Sequence, residues 1–133
     1  MLQIAASEDC INDFTRLKMS KKVAYQIYKI DGKEITTEEE LKKEDCPEQG
    51  DYAKKFIASL KEKGVRYGVI DYNQKILFVS WSPDTGKAQN KMKYASSKEA
   101  FKTELQGISA ALQATDDGEL TIEAFDEKCK SKV

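Results

Sequence analysis

Few residues in this chain are able to do bond chemistry. It has no histidine in 133 residues, which removes the commonest general base and the commonest metal ligand together. No Ser/His or Cys/His nucleophilic pair is therefore available. Its three cysteines, Cys10, Cys46 and Cys129, are widely separated and odd in number. They show neither a CxxC nor a metal-ligand spacing, and read as buried or idle thiols. The seven glycines are scattered, and none forms GxGxxG or GxxxxGK. No catalytic residue, metal site or cofactor is expected. The chain reads as a binding protein, and a small hydrolase or transferase is the class these absences disfavour.

Binding chemistry is better represented, in the stretch 91–108, KMKYASSKEAFKTELQGI. At about 100° per residue, Tyr94, Ser97, Phe101, Leu105 and Ile108 share one helical face and Met92 points roughly away from it. An outward methionine beside Lys91, Lys93 and Lys98 combines an adaptable thioether with charges that suit an acidic partner. Ser96 and Ser97 lie where strong helix formers would normally sit. Serines there bond back to a carbonyl one turn earlier, loosening and bending the helix. The bland alternative is a surface helix with solvated lysines and tolerated serines.

The rest of the chain must hold that helix in place. Residues 7–18 open on Ser7 as an N-cap with acids in the first turn, and Cys10, Phe14 and Leu17 follow at helical spacing. Residues 23–30, VAYQIYKI, carry apolar side chains on both faces and predict an interior strand. Asp31-Gly32 predicts a hairpin turn into 33–37. Residues 38–50 are acidic and polar, with Pro47 and Gly50, and read as a loop. A helix over 51–62 starts on Asp51 as N-cap and stops at Gly64. Strands at 66–72 and 75–81 are separated only by Asn73-Gln74, a tight hairpin. Ser82 to Gly86 forms a turn. The long helix covers about 89–106, with a strand within 108–114 and a last helix over 121–130 that turns Ile122, Phe125 and Cys129 inward. This order predicts an α/β (α+β) domain with a central mixed β-sheet sandwiched by helices on both faces.

Composition agrees with one domain over residues 1–133. Hydrophobic residues at 40% can build a core, and charged residues at 34% cover it. The net charge of −1 argues against a nucleic-acid or bulk membrane binder. No apolar run reaches spanning length, and MLQIAASEDC lacks the pattern of a signal peptide. A cytoplasmic location is expected, with nuclear entry left open, since Lys21-Lys22 is too short to read as an import signal.

The run WSPDTGKAQNKMKYASSKEAFKTELQGI resembles the signature region of the actin-depolymerising factor/cofilin family. It has a Trp-x-Pro-Asp turn, then Lys-Met-x-Tyr-Ala-Ser-Ser-Lys, then a Leu-x-Gly-Ile ending. CINDFTRLKMSKKVAYQIYKID and the last helix extend the resemblance over nearly the whole chain. It implies a single actin-depolymerising-factor-homology domain that binds actin monomers and filaments and promotes severing and depolymerisation. The alternative within the same fold is a monomer-sequestering or coactosin-like binder with little severing.

The resemblance also assigns residues. Lys91 and Met92 become central actin contacts, with Gln89 and Lys98 beside them. The N-terminal segment, Leu2, Gln3, Ile4 and Ala5, joins the same surface. The usual N-terminal phosphoserine falls on Leu2, so that switch is expected to be absent. Filament-specific contacts map to Lys75 in the hairpin and to Glu127, Lys128 and Lys130 in the last helix, for which a solvated helix end is the alternative. A phosphoinositide patch of Lys87, Lys91, Lys93 and Lys98 is implied, against ordinary solvated lysines. The protein is expected to be a monomer. Two departures bear on activity. The long basic hairpin of many cofilins is reduced to DYNQK, residues 71–75, a short hairpin at 72–75 with Lys75 as its sole cation, and Gln89 stands where a basic residue is frequent. Monomer binding is expected to persist while side-binding to filaments is weakened.

Overall fold

A computed structural model describes residues 4–130. The elements are β1 (Ala5–Ala6), α1 (Glu8–Ser20), β2 (Val23–Asp31), β3 (Glu34–Lys42), α2 (Gln49–Lys63), β4 (Arg66–Tyr72), β5 (Lys75–Trp81), α3 (Ala88–Glu104), β6 (Ala110–Ala114) and α4 (Ile122–Lys128). One six-stranded sheet has the order β1-β3-β2-β4-β5-β6. Its four central strands are antiparallel to their neighbours, while β1 and β6 are added parallel at the two edges. It is the mixed sheet expected, with α1 and α3 on one face and α2 and α4 on the other.

Two apolar layers follow from that arrangement. One packs Phe56 and Leu60 of α2 and Phe125 of α4 against Ile27, Ile70 and Val79. The other packs Phe14 and Leu17 of α1 and Phe101 of α3 against Tyr28, Tyr67 and Phe78. Residues Val23 to Tyr28 of β2 are buried without alternation, because helices cover both sides of it. Gly68 on β4 allows the closest approach in the first layer. A Cβ there would lie 2.6 Å from two ring carbons of Phe56, whose ring centroid is 5.0 Å from that of Tyr25.

Local signals explain most element ends. The Ser7 Oγ accepts from the Cys10 N–H at 3.1 Å, capping α1 as expected. Gly64 closes α2, donating its N–H to the Leu60 carbonyl. Asn73 and Gln74 both have positive φ, 51° and 65°, the two-residue turn that matches the strand twist. The preceding hairpin differs slightly. Asp31 pairs with Glu34, so the turn residues are Gly32 and Lys33, with the left-handed φ carried by Gly32.

Three expectations need correction. Residues 38–50 are not all loop, because β3 runs on to Lys42 and α2 begins at Gln49. The three consecutive glutamates of β3 each find a cation from a distant element. Glu38 accepts from Arg66 at 2.7 Å, Glu39 pairs with Lys63 at 3.2 Å, and Glu40 accepts from Arg16 at 2.6 Å. The N-cap of α2 is Glu48, without a side-chain cap bond, and Asp51 sits in the first turn instead. The two-residue strand β1 was not anticipated. It pairs with Glu34 and Ile35 and is pinned to α3 where the Ala6 N–H meets Glu104 Oε1 at 3.3 Å.

Candidate functional site

The site is built around α3 and the turn that launches it. Trp81 ends β5 in the core, and the Ser82 N–H donates to the Ala114 carbonyl at 2.9 Å. The chain then reverses, with the Gly86 N–H bonded to the Pro83 carbonyl. A Cβ on Gly86 would meet Val65 Cγ2 at 2.7 Å and Lys91 Cγ at 3.4 Å. Glycine lets the turn lie flat on the sheet and beneath the lysine stem.

The start of α3 breaks the usual capping rules. Its N-cap is Lys87, without a side-chain hydrogen bond, and its first turn holds no acidic residue. The backbone N–H groups there lack a side-chain acceptor, and Lys87 adds positive charge where the helix dipole is already positive. Such an end costs some local stability in the isolated domain, and an approaching carboxylate reverses the sign of the effect.

Tyr94, Ser97 and Phe101 turn α3 into the core. The ring centroid of Tyr67 lies 5.0 Å from that of Tyr94 and 5.1 Å from that of Phe101. The Tyr67 hydroxyl donates to the Tyr94 carbonyl, and the Ile30 N–H donates to Tyr94 Oη at 2.9 Å. The Ser96 hydroxyl donates back to the Lys93 carbonyl at 3.1 Å, and Ser97 is buried. The helix runs unbroken from Ala88 to Glu104 with these extra donors on the turn between Lys93 and Ser97.

Fixing that face fixes the opposite one. Met92 is 71% exposed, one of the two exposed large apolar side chains among the described residues; the other is Met19 at 72%. Gln89 is exposed beside it, and Lys91 is half-buried with its ammonium 3.6 Å from Asp84. Lys93 lies on the side of Lys29 and Arg66, lining a cavity of about 140 Å³. Lys98 is on the β6 side and donates to Gln113 Oε1 at 2.6 Å. Lys87, Lys91, Lys93 and Lys98 thus have different neighbours around the helix. Of the N-terminal candidates, Ile4 is half-buried against the second core layer and Ala5 is exposed on β1. Leu2 and Gln3 lie outside the described residues.

The filament candidates gather at the other end of the sheet. The Lys75 ammonium donates to the Lys130 carbonyl at 2.7 Å, tying the hairpin to the end of α4. Lys130 in turn pairs with Glu127 at 3.3 Å, and Lys128 is exposed on the last turn. The hairpin cation is therefore already engaged inside the domain.

Sequence reasoning missed Tyr67, Gly86 and Arg66 as supports of this surface. Gly86 carried a signal, in the SPDTG turn. Tyr67 and Arg66 reach α3 only through the tertiary fold. The thiols lie elsewhere. Cys10, Cys46 and Cys129 are free and buried, and burial pushes the Cys10 thiol up to about 12.

Comparison with known proteins fits this geometry. The family described as cofilin/tropomyosin-type actin-binding protein matches residues 3–130. Actin-depolymerizing factor 2 of Arabidopsis thaliana is 39% identical, over 92% of this chain and 91% of its own. The crystal structure of the Streptomyces griseoflavus cofilin superposes with a TM-score of 0.82 at 32% identity, covering 96% of this chain and 99% of that one. The Plasmodium berghei actin depolymerization factor 2 gives 0.84 at 27% identity, covering 98% and 100%. A match running almost end to end, on a fold that turns Met92 and an uncapped helix start to the outside, places the chain in the cofilin/tropomyosin-type actin-binding family.

Proposed function

We propose that this protein binds actin and promotes the depolymerisation of its filaments, with α3 as the docking element. The observation that carries this reading is Met92, held 71% exposed on a helix whose other face is locked into the core. Lys91 and Gln89 flank it, the uncapped helix start at Lys87 is exposed, and the family resemblance adds Ile4 and Ala5 as contacts. Leu2 and Gln3, outside the described residues, are further contacts by the family resemblance alone. Lys98 contributes once its bond to Gln113 is exchanged for one to actin. The work is done by binding energy. A ligand that prefers one actin conformation shifts the filament toward it, and severing and subunit loss follow.

Lys75, Glu127, Lys128 and Lys130 form the filament-facing end. With Lys75 tethered to Lys130, the hairpin by itself adds little to side-binding. Lys87, Lys91, Lys93 and Lys98 offer charge for a phosphoinositide headgroup that competes with actin. The protein acts as a monomer in the cytoplasm, on the actin cytoskeleton, and needs no cofactor.

The test pairs high-speed sedimentation of actin filaments with microscopy as the protein is added. Fragmenting filaments and actin moving to the supernatant are expected, together with binding to monomers. Intact filaments and no monomer binding would overturn the reading.

A further inference from the structure

β1 and α3 lie at opposite ends of the chain, and one hydrogen bond joins them among the described residues. β1 is two residues long, at the edge of the sheet. Its flanking amides go to β3. The Ala5 N–H donates to the Lys33 carbonyl at 3.1 Å and the Ser7 N–H to the Ile35 carbonyl at 3.0 Å. Successive amides of a strand point to opposite sides, so the Ala6 N–H is turned away from β3. Glu104 Oε1 accepts it at 3.3 Å, across 98 residues of chain. Apolar packing also holds the two elements together, since Ile4 and Ala6 lie against the layer that contains Phe101 and Leu105. That attraction is non-directional. A hydrogen bond has a set distance and angle, so it is the contact able to fix where β1 sits along α3.

Glu104 is a poor choice for its place in the helix. It is the last residue of α3, where the dipole is negative and the final carbonyls lack helical partners. A lysine or arginine would suit that end. Its bond to Ala6 gives the carboxylate a role that local preference does not explain. The same end of α3 is held from α1. The Lys18 ammonium donates to the Gln106 carbonyl at 2.8 Å. The stem of Lys18 crosses Gly107, where a Cβ would lie 2.6 Å from Lys18 Cδ. β1 and α1 are consecutive elements, and both grip the end of α3. Glu104 is thereby a fixed post against which the N-terminal segment is located.

We infer that Glu104 is a positioning residue for actin binding: through the Ala6 amide it sets the N-terminal segment at a fixed place beside α3, so that Ile4, Ala5 and the face carrying Met92 meet the partner as one surface. This rests on the actin reading above. Glu104 is about three turns beyond Met92, roughly 18 Å along the axis. It acts by pre-organisation. A segment already in place has less conformational freedom to lose on binding.

The experiment compares Glu104→Ala with Glu104→Gln in the full chain, by titration of labelled actin monomers. Gln keeps an oxygen acceptor for the Ala6 N–H, and Ala removes it. Affinity is expected to fall about three- to tenfold in the Ala variant, the scale of one hydrogen bond, and to stay within about twofold of wild type in the Gln variant. Glu104 is exposed, so both variants should unfold within about 3 °C of wild type. Amide exchange by NMR reads the bond without actin. The Ala6 N–H should exchange faster in the Ala variant and at the wild-type rate in the Gln variant. A cycle with Ile4→Ala separates positioning from contact. Ile4→Ala should cost less affinity in the Glu104→Ala background than in wild type, whereas Met92→Ala should cost the same in both. Unchanged affinity in Glu104→Ala would overturn the inference. An equal loss in Glu104→Gln would also overturn it, making the charge itself the cause. So would additive losses with Ile4→Ala, or a loss of affinity accompanied by a larger fall in Tm. A wild-type chain that binds no actin would instead overturn the actin reading, and the inference with it.

Discussion

Met92→Ala separates binding from folding more cleanly than any other change. The side chain is 71% exposed, so its loss should alter stability by no more than about 0.5 kcal/mol. Complete burial of a methionine side chain is worth about 1.5–3 kcal/mol. With 71% of the residue still open to cover, docking onto a partner should draw on about 1–2 kcal/mol of that, about 5–30-fold in Kd. Titration of fluorescently labelled actin monomers measures the affinity, and thermal unfolding by circular dichroism measures the fold. Weaker binding by that factor is expected, with Tm within about 3 °C of wild type. Met19→Ala is the control. It is equally exposed, at 72%, but lies on α1 near the far end of the sheet, and monomer affinity should not change. Equal losses from the two substitutions would mean that any surface methionine serves. An unchanged Kd for Met92→Ala would refute the docking role of α3.

Other consequences are structural. Gly68→Ala puts a methyl group 2.6 Å from two carbons of the buried Phe56 ring, which Tyr25 and Phe125 hem in; urea denaturation should show a loss of about 1–3 kcal/mol. Burial raises the Glu38, Glu39 and Glu40 carboxyl groups, but hydrogen bonds and nearby cations, with Arg66 and Arg16 foremost for Glu38 and Glu40, outweigh it and hold all three below the usual glutamate value of 4.5. Their contribution is complete above the unfolded value and is lost as pH falls through the lower folded one. Changing all three to Gln should flatten the decline in stability below about pH 4.5, near the free glutamate value; an unaltered acid limb would show that the pairs contribute nothing. Burial keeps the Cys10 thiol protonated, with a value raised to about 12. At pH 8 its thiolate fraction is then about one in ten thousand. Iodoacetamide should leave Cys10 unmodified in the native protein and label it in urea, as peptide mass mapping would show.

How far the sequence could be read depended on how local each signal was. The Ser7 cap, the Asn73-Gln74 turn and the Gly64 stop are decided by a few neighbouring residues, and all three stand in the structure. The burial of β2 on both faces was visible because its apolar residues do not alternate. The end of β3 was not visible. Three consecutive glutamates look like a solvated loop until Arg16, Lys63 and Arg66 arrive from elements 24, 24 and 28 residues away. A two-residue Ala-Ala strand carries no pattern at all. At the candidate site, periodicity sufficed to turn Met92 outward and Tyr94 inward. It could not show that Lys91 pairs with Asp84, that Lys93 shares a cavity with Lys29 and Arg66, or that Lys98 bonds to Gln113, because those neighbours are set by the tertiary fold.

The paired glutamates of β3 have a consequence for how the protein behaves when crowded. Beyond Ile35 no strand covers the outer side of β3 among the described residues, and an open strand edge is a template on which another chain can add. A second copy pairing there would have to bury the half-exposed ion pairs of Glu38, Glu39 and Glu40, and stripping water from such pairs is costly. The opposite edge, β6, is only five residues long, which gives an incoming strand little to grip. A domain proposed to take a polymer apart thus carries, on its own open edge, charges that oppose the seeding of another.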